Sequence, residues 1–234
     1  MNIRMKFKKH GCMKFIGHLD IMRYFQKAIR RADIDIAYSE GFSPHMIMSF
    51  AAPLGVGLTS EGEYVDLQVN SCGSSKAAVD ALNRVMVDGM EVVSFKLLPE
   101  TVKNAMASVA AADYFVKFRE GYAPENWEEK FTTFLQKEEM LIVKKTKRSE
   151  AEVDLKPMLY QAKIQDGGIF MQVACGSVNN LKPELVMEAF AKDADIELAT
   201  FALEVCRLEV YADLGDEATR KLVPLEELGE DIEP

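Results

Sequence analysis

MNIRMKFKKHGCMKFIGHLDIMRYFQKAIRRADIDIAY, residues 1–38, changes its hydrophobic period once, and that change decides the fold class. From Ile3 to Phe15 apolar and basic side chains alternate. Ile3, Met5 and Phe7 oppose Arg4, Lys6 and Lys8, as in a strand with one buried face. From His18 to Ala32 the spacing becomes helical, with Met22, Phe25, Ile29 and Ala32 on one side and Arg23, Lys27, Arg30 and Arg31 on the other. Gly17 stands at the N-cap, and Asp20 in the first turn complements the helix dipole. IDIAY, residues 34–38, reads as a short strand.

Working outward, SEGFSPH (residues 39–45) is a turn-rich loop. MIMSFAAPL then leads through Gly55 and Gly57 to EYVDLQV, where Val65, Leu67 and Val69 alternate with Tyr64, Asp66 and Gln68. Ser74 or Ser75 caps a helix running to Met86, with Ala78, Leu82 and Val85 inward, and EVVSFKLL closes the unit as a strand. Strand, helix, short strand, hairpin, helix, strand is the split βαβ order of a ferredoxin-like fold with a small extra strand.

The order then recurs. DYFVKF is a strand, Pro124 opens a helix carrying Trp127, Phe131, Phe134 and Leu135, and MLIVKK is a short strand. TKRSEAEVDLKP reads as a polar loop, and two strands flank the turn Asp166-Gly167-Gly168. Pro183 opens a second helix and FALEVCRLEVY closes the repeat. The expected class is therefore α+β: two tandem ferredoxin-like halves, residues 1–98 and 109–212, with antiparallel sheets, joined by a linker at 99–108. Residues 213–234, with eight acids against two bases, read as a solvated, mobile tail with a short helix around Asp216 to Leu222. The cleft between the halves is the default binding place.

A 48% apolar content with 28% charged residues supplies a packed core and argues against long disordered tracts. No apolar run approaches the length that spans a bilayer, and the first residues lack a signal peptide's apolar core, so a cytoplasmic protein away from the membrane is expected. Cys12, Cys72, Cys175 and Cys206 show no metal-ligand spacing and read as buried thiols, and no cofactor motif is visible. The net charge is −9, yet residues 1–50 hold nine Lys/Arg against four Asp/Glu. This basic island suits a phosphate backbone.

Histidine is scarce, and two positions are candidates for catalysis. His18 begins the first helix, where backbone N–H groups attract anions; it is either a base or phosphate contact, or a residue fixing the helix start. His45 ends a loop whose Tyr38, Ser39, Gly41, Phe42 and Pro44 are compatible with a shaped binding surface or with turn geometry alone. His10 reads as a solvent-facing turn residue. The Lys144, Lys145, Lys147 and Arg148 cluster falls at the second repeat's counterpart of the SEGFSPH loop. With Arg23, Lys27, Arg30 and Arg31 it forms a candidate RNA contact, the bland alternative being a solvated charged face.

The stretch from Phe15 to Val69, with Glu152-Val153-Asp154-Leu155-Lys156-Pro157, GSVNNLKP and Cys206-Arg207-Leu208, resembles the radical-SAM-linked protein family, a bacterial domain of unknown function. The resemblance leaves out only the acidic tail. Its characteristic residues fall on His18, Asp20, Tyr38, Ser39, Gly41, Phe42, Pro44, His45, Ser60, Glu61 and Gly62. It implies a cobalamin-type radical SAM partner and an accessory role near RNA or the ribosome. The cluster-binding CxxxCxxC of such a partner is absent here. Paired ferredoxin-like halves with a histidine near the first helix also resemble CRISPR repeat-processing endonucleases in architecture. That similarity makes metal-independent RNA cleavage with His18 or His45 as base the alternative, although the glycine-rich loop of those enzymes is not visible.

Overall fold

The computed structural model describes residues 1–145, 150–216 and 219–234. The chain is a mixed α+β protein with largely antiparallel sheet. It clusters as two compact units, residues 1–110 with 207–234, and residues 111–206.

The first unit contains β1 (Asn2–Lys9), α1 (His18–Arg31), β2 (Met48–Ala51), β3 (Thr59–Gln68), α2 (Ser75–Asn83) and β4 (Met90–Leu97). β1 pairs antiparallel with both β3 and β4, and β2 pairs antiparallel with β3, giving the order β4-β1-β3-β2. Ile3, Met5 and Phe7 of β1 and Val65 and Leu67 of β3 meet Phe25 and Ile29 of α1 and Leu82 of α2 in one core. Phe7 packs edge-on against Phe25 at 4.6 Å between ring centroids, a contact that adds about 0.5–1.5 kcal/mol beyond burial alone. α1 has no Gly or Pro in its interior and carries Arg30 and Arg31 in its last turn, where they complement the dipole. Ser74 caps α2 by accepting the Ala77 N–H at 3.2 Å. Gly89, at φ +85°, lies so close to the chain that a Cβ would sit 2.6 Å from the His10 carbonyl oxygen.

Residues 34–38, expected as a strand, make only single bridges, Ile36 with Val69 and Tyr38 with Met46. Backbone bonds still tie the segment to β3, the Ala37 amide donating to the Gln68 carbonyl at 2.7 Å and the Asn70 amide to the Asp35 carbonyl at 2.8 Å, and the Asp35 carboxylate accepts from Asn70 Nδ2 at 2.9 Å and Ser71 Oγ at 2.7 Å. The expected linker contains a short helix, α3 (Ala105–Ser108), capped by Asn104.

The second unit contains β5 (Ala111–Phe118), α4 (Trp127–Leu135), β6 (Leu141–Lys145), β7 (Glu150–Asp154), β8 (Leu159–Gln165), β9 (Gly168–Ala174) and α5 (Pro183–Asp193). Its sheet runs β5-β9-β8, while β6 and β7 form a separate two-stranded ladder. β7 replaces the polar loop expected there. Its end is fixed by Asp154, which accepts the Met140 and Lys156 backbone N–H groups at 2.8 and 3.0 Å. Asp166 and Gly167, both at positive φ, make the two-residue turn that sets Gln165 opposite Gly168. Phe131 and Phe134 of α4 pack against Phe190 of α5 over this sheet's core.

The last strands correct the sequence reading most. β10 (Leu203–Asp213) crosses the unit boundary, its residues from Arg207 onward belonging to the first unit. β11 (Leu222–Pro224) pairs with β10, Leu225 is fully buried, and Glu230 bridges Leu97. The acidic segment is therefore packed on the first unit, and residues 216 and 219–222 are not helical. Burial of Leu225, the β10–β11 ladder and the ion pair of Glu226 with Lys6 of β1 at 2.6 Å together hold it there. Of the four cysteines, Cys175 alone is buried and Cys12 is exposed.

Candidate functional site

The loop after α1 is closed by its own ends. The Ser39 amide donates to the His45 carbonyl at 2.9 Å and the His45 amide donates to Ser39 Oγ at 3.1 Å. Ser39 Oγ also lies 2.8 Å from His45 Nδ1. Gly41 supplies φ +106° at the bend. Clamped in this way, the loop holds Phe42 fully in solvent and leaves Tyr38 48% exposed, with Pro44 and His45 exposed as well.

Arg23, Lys27, Arg30 and Arg31 all lie on the exposed side of α1, and Arg23 pairs with Asp20 at 3.2 Å. Only six residues separate Arg31 from Tyr38, so the basic end of the helix and the aromatic loop are neighbours in the chain. Lys147 and Arg148 lie outside the described residues.

His18 occupies the first position of α1, and its ring packs edge-on against Phe50 at 5.2 Å. Phe50 sits opposite Val65 on β3, whereas the loop carrying His45 joins β3 through the Gln68 amide to Ile47. Those anchors are three residues, about 10 Å, apart along the strand. The structure gives His18 an aromatic partner and His45 a serine, and no contact among the described residues pairs the two as acid and base.

What sequence reasoning missed is a set of buried cations. Alternation placed Arg4, Lys6 and Lys8 on a solvent face, but Arg4, Lys6 and Lys9 are buried. Arg4 binds Asp66 through two bonds of 2.9 and 3.0 Å and donates to the Leu225 and Lys103 carbonyls, both at 3.2 Å. Lys6 lies 2.6 Å from both Glu209 and Glu226. Tyr64 donates to Glu209 at 2.6 Å and Ser94 to Glu226 at 2.7 Å. Burial, which opposes the charge on Lys6, is outweighed by these two carboxylates, so its pKa rises. Burial and the adjacent Glu209 raise the Tyr64 phenol far above its ordinary range. Burial lowers the Lys9 pKa, and the Glu63 carboxylate at 3.8 Å only partly offsets it. Three of the nine cations in the basic island are thus internal. Its outward charge comes from α1.

Several residues on which the family resemblance rests have structural duties. Ser60 donates to Glu63 at 3.0 Å, and Glu61 pairs with His10 at 3.0 Å and Lys8 at 3.3 Å. Gly62 allows β3 to approach Leu208 and Glu209, since a Cβ there would lie 3.0 Å from the Leu208 carbonyl oxygen. Lys156 ties the Leu135 and Lys137 carbonyls at 2.7 and 2.9 Å. Among the described residues no three His, Cys, Asp or Glu side chains converge as metal ligands, and no helix is long and apolar enough to cross a membrane.

These features define an α+β protein of two compact units, the first of which carries a basic helix followed in the chain by a clamped aromatic loop. Residues 2–183 match the family described as "Uncharacterized protein conserved in bacteria (DUF2344)", and the chain belongs to that family. A comparison with curated proteins gives no match.

Proposed function

We propose that the chain is a non-catalytic, cytoplasmic binding module that holds single-stranded RNA, or a ribosome-related RNA segment, for a cobalamin-type radical SAM enzyme. The observation that carries the RNA reading is Phe42, held fully in solvent by the Ser39–His45 clamp, in the loop that follows α1 in the chain, the last turn of which carries Arg30 and Arg31. Exposed rings next to cations are the elements with which proteins bind single strands, by base stacking and phosphate contact. The partner follows from the resemblance to the radical-SAM-linked family.

Stacking rather than charge dominates this reading. Four exposed cations on α1, one of them paired with Asp20, give a salt slope of at most about −3 for a single strand. Each stacked base contributes about 1–3 kcal/mol. A fluorescence-anisotropy titration of labelled single-stranded RNA at several salt concentrations tests it. Phe42→Ala weakens binding by about five- to 150-fold with the salt slope unchanged, and Arg30→Gln with Arg31→Gln lowers the slope by about 1.4. Equal affinity of Phe42→Ala and the parent overturns the reading, as does an absence of RNA binding with and without a co-purified radical SAM partner.

A further inference from the structure

On the sheet face turned away from α1 and α2, the first unit carries a pocket of about 230 Å³ that opens to solvent past the exposed residues Asn2, Ile47 and Gln68. Its position follows from the register. Asn2 of β1 lies opposite Gln68 of β3, and Ser49 of β2 lies opposite Asp66. Since side chains alternate along a strand, Asn2 and Arg4, and likewise Asp66 and Gln68, point to one face, the face opposite Ile3, Met5, Val65 and Leu67. The segment carrying Leu98, Val102 and Asn104 forms the opposite wall.

We propose that this cavity seats one uncharged, planar nitrogen heterocycle, a nucleobase of the bound single strand; the RNA part rests on the reading above. Charge is the first argument. Asp66 is the ionisable group in the lining, and it is already occupied, accepting two N–H bonds from Arg4 and a third from the Ala105 amide. A carboxylate in that state shapes the floor without attracting a cation, and a phosphate finds no cation facing it. The ligand is therefore neutral.

Hydrogen-bonding capacity is the second. Among the described residues the side chains of Asn2, Ser49 and Gln68 make no protein hydrogen bond; the two amides are solvent-exposed at the rim and Ser49 is half-buried, so two amides and a hydroxyl can exchange water for a ligand. An amide offers a donor and an acceptor in one plane, the pattern that reads the edge of a base. The rest of the wall, with Ile47, Leu98 and Val102, is apolar and suits a ring face. Size is the third, because pockets that bury a drug-sized ligand run to about 300–1,000 Å³, and this smaller space admits a ring system without its sugar and phosphate.

The aromatic loop supplies the connection to a polymer. Ile47 lines the cavity, donates its amide to Ala37 and accepts from the Gln68 amide, while its neighbour Met46 bridges Tyr38. A strand stacked on Tyr38 and Phe42 thus passes a cavity whose wall is the same segment of chain. One base inserts; its neighbours stack outside.

The test uses the four free ribonucleosides and a set of single-stranded RNAs differing at one position. One nucleoside shifts the amide NMR resonances of Ile47, Gln68, Val102 and Asn104 saturably, and one RNA position shows a preference of about five- to 150-fold between bases. Gln68→Leu with Asn2→Ala abolishes both effects. Val102→Trp, which fills the cavity from the loop side, does the same and leaves strand pairing of β1 and β3 untouched. RNA binding with no base preference and no nucleoside shift at the cavity overturns the seat and leaves the RNA reading standing. Nucleoside shifts at the cavity without RNA binding uphold the seat and overturn the RNA reading.

Discussion

Asp66→Ala removes the partner of a guanidinium that has no access to water. The Arg4 side chain is fully buried, and its bonds go to Asp66, at 2.9 and 3.0 Å, and to the Leu225 and Lys103 carbonyls. Taking away the carboxylate leaves the charge facing two neutral acceptors, a loss of about 3–5 kcal/mol for a buried pair broken on one side. The Ala105 amide, which donates to the same carboxylate, loses its acceptor as well, adding about 1 kcal/mol. Against a total stability of about 5–15 kcal/mol, this leaves the first unit marginal. Arg4→Met costs less, about 2–3 kcal/mol, because Asp66 is 14% exposed and a stranded carboxylate there reaches water. The double variant costs less than the sum of the singles by at least about 2 kcal/mol. Denaturant unfolding followed by circular dichroism, with amide exchange of Met5 and Val65 as a local readout, measures all three. An Asp66→Ala loss under about 1 kcal/mol, or simple additivity, refutes the assignment of Arg4 and Asp66 as a buried, coupled pair.

Other perturbations follow from the same arrangement. Lys9, whose folded pKa lies below its ordinary 10.5, makes the unfolded chain bind more protons between those two values, so stability rises with pH across that window. Lys9→Met raises stability at pH 7 and removes the rise, and a less stable variant at pH 7 contradicts this. Tyr64 and Lys6 have raised pKa values, so their contribution is complete below about pH 10 and is lost above it; Tyr64→Phe reduces that alkaline loss in a pH series of denaturant midpoints. Gly89→Ala combines φ +85° with a contact of 2.6 Å and lowers stability by about 1–3 kcal/mol, which an unchanged Tm would disprove. Ser39→Ala opens the exposed loop clamp, accelerating amide exchange at His45 while global stability moves by less than about 0.5 kcal/mol; a large global loss assigns the clamp to the core instead.

The elements written in local chemistry were legible from the residues. The switch of period before His18, the Ser74 cap, the Asp166-Gly167 turn and Pro183 at a helix start each act within a few residues, and each forms where expected. β1 shows why the rest was hidden. Its alternation of Ile3, Met5 and Phe7 with Arg4 and Lys6 is the pattern of a half-exposed strand, and nothing nearby says that the cations are covered. Their partners lie 62, 203 and 220 residues away, in Asp66, Glu209 and Glu226. For the same reason the acidic end of the chain looked like a solvated tail, its charge being half of a pair whose other half is at the N-terminus. β6 was readable as the strand MLIVKK, but its partner β7 escaped because its polar residues carry little strand preference. Of the candidate site, the sequence composition of the Tyr38–His45 loop was readable, but not the clamp that exposes Phe42, nor the cavity, which exists only once Asn2, Ser49 and Gln68 are brought into register.

Photo-crosslinking of single-stranded RNA to the full chain, followed by peptide mapping, addresses the binding surface without a variant. The account places crosslinks within residues 32–48, centred on Tyr38 and Phe42, and has Phe42→Ala remove most of them. Crosslinks confined to residues 111–206, or undiminished by that substitution, contradict it.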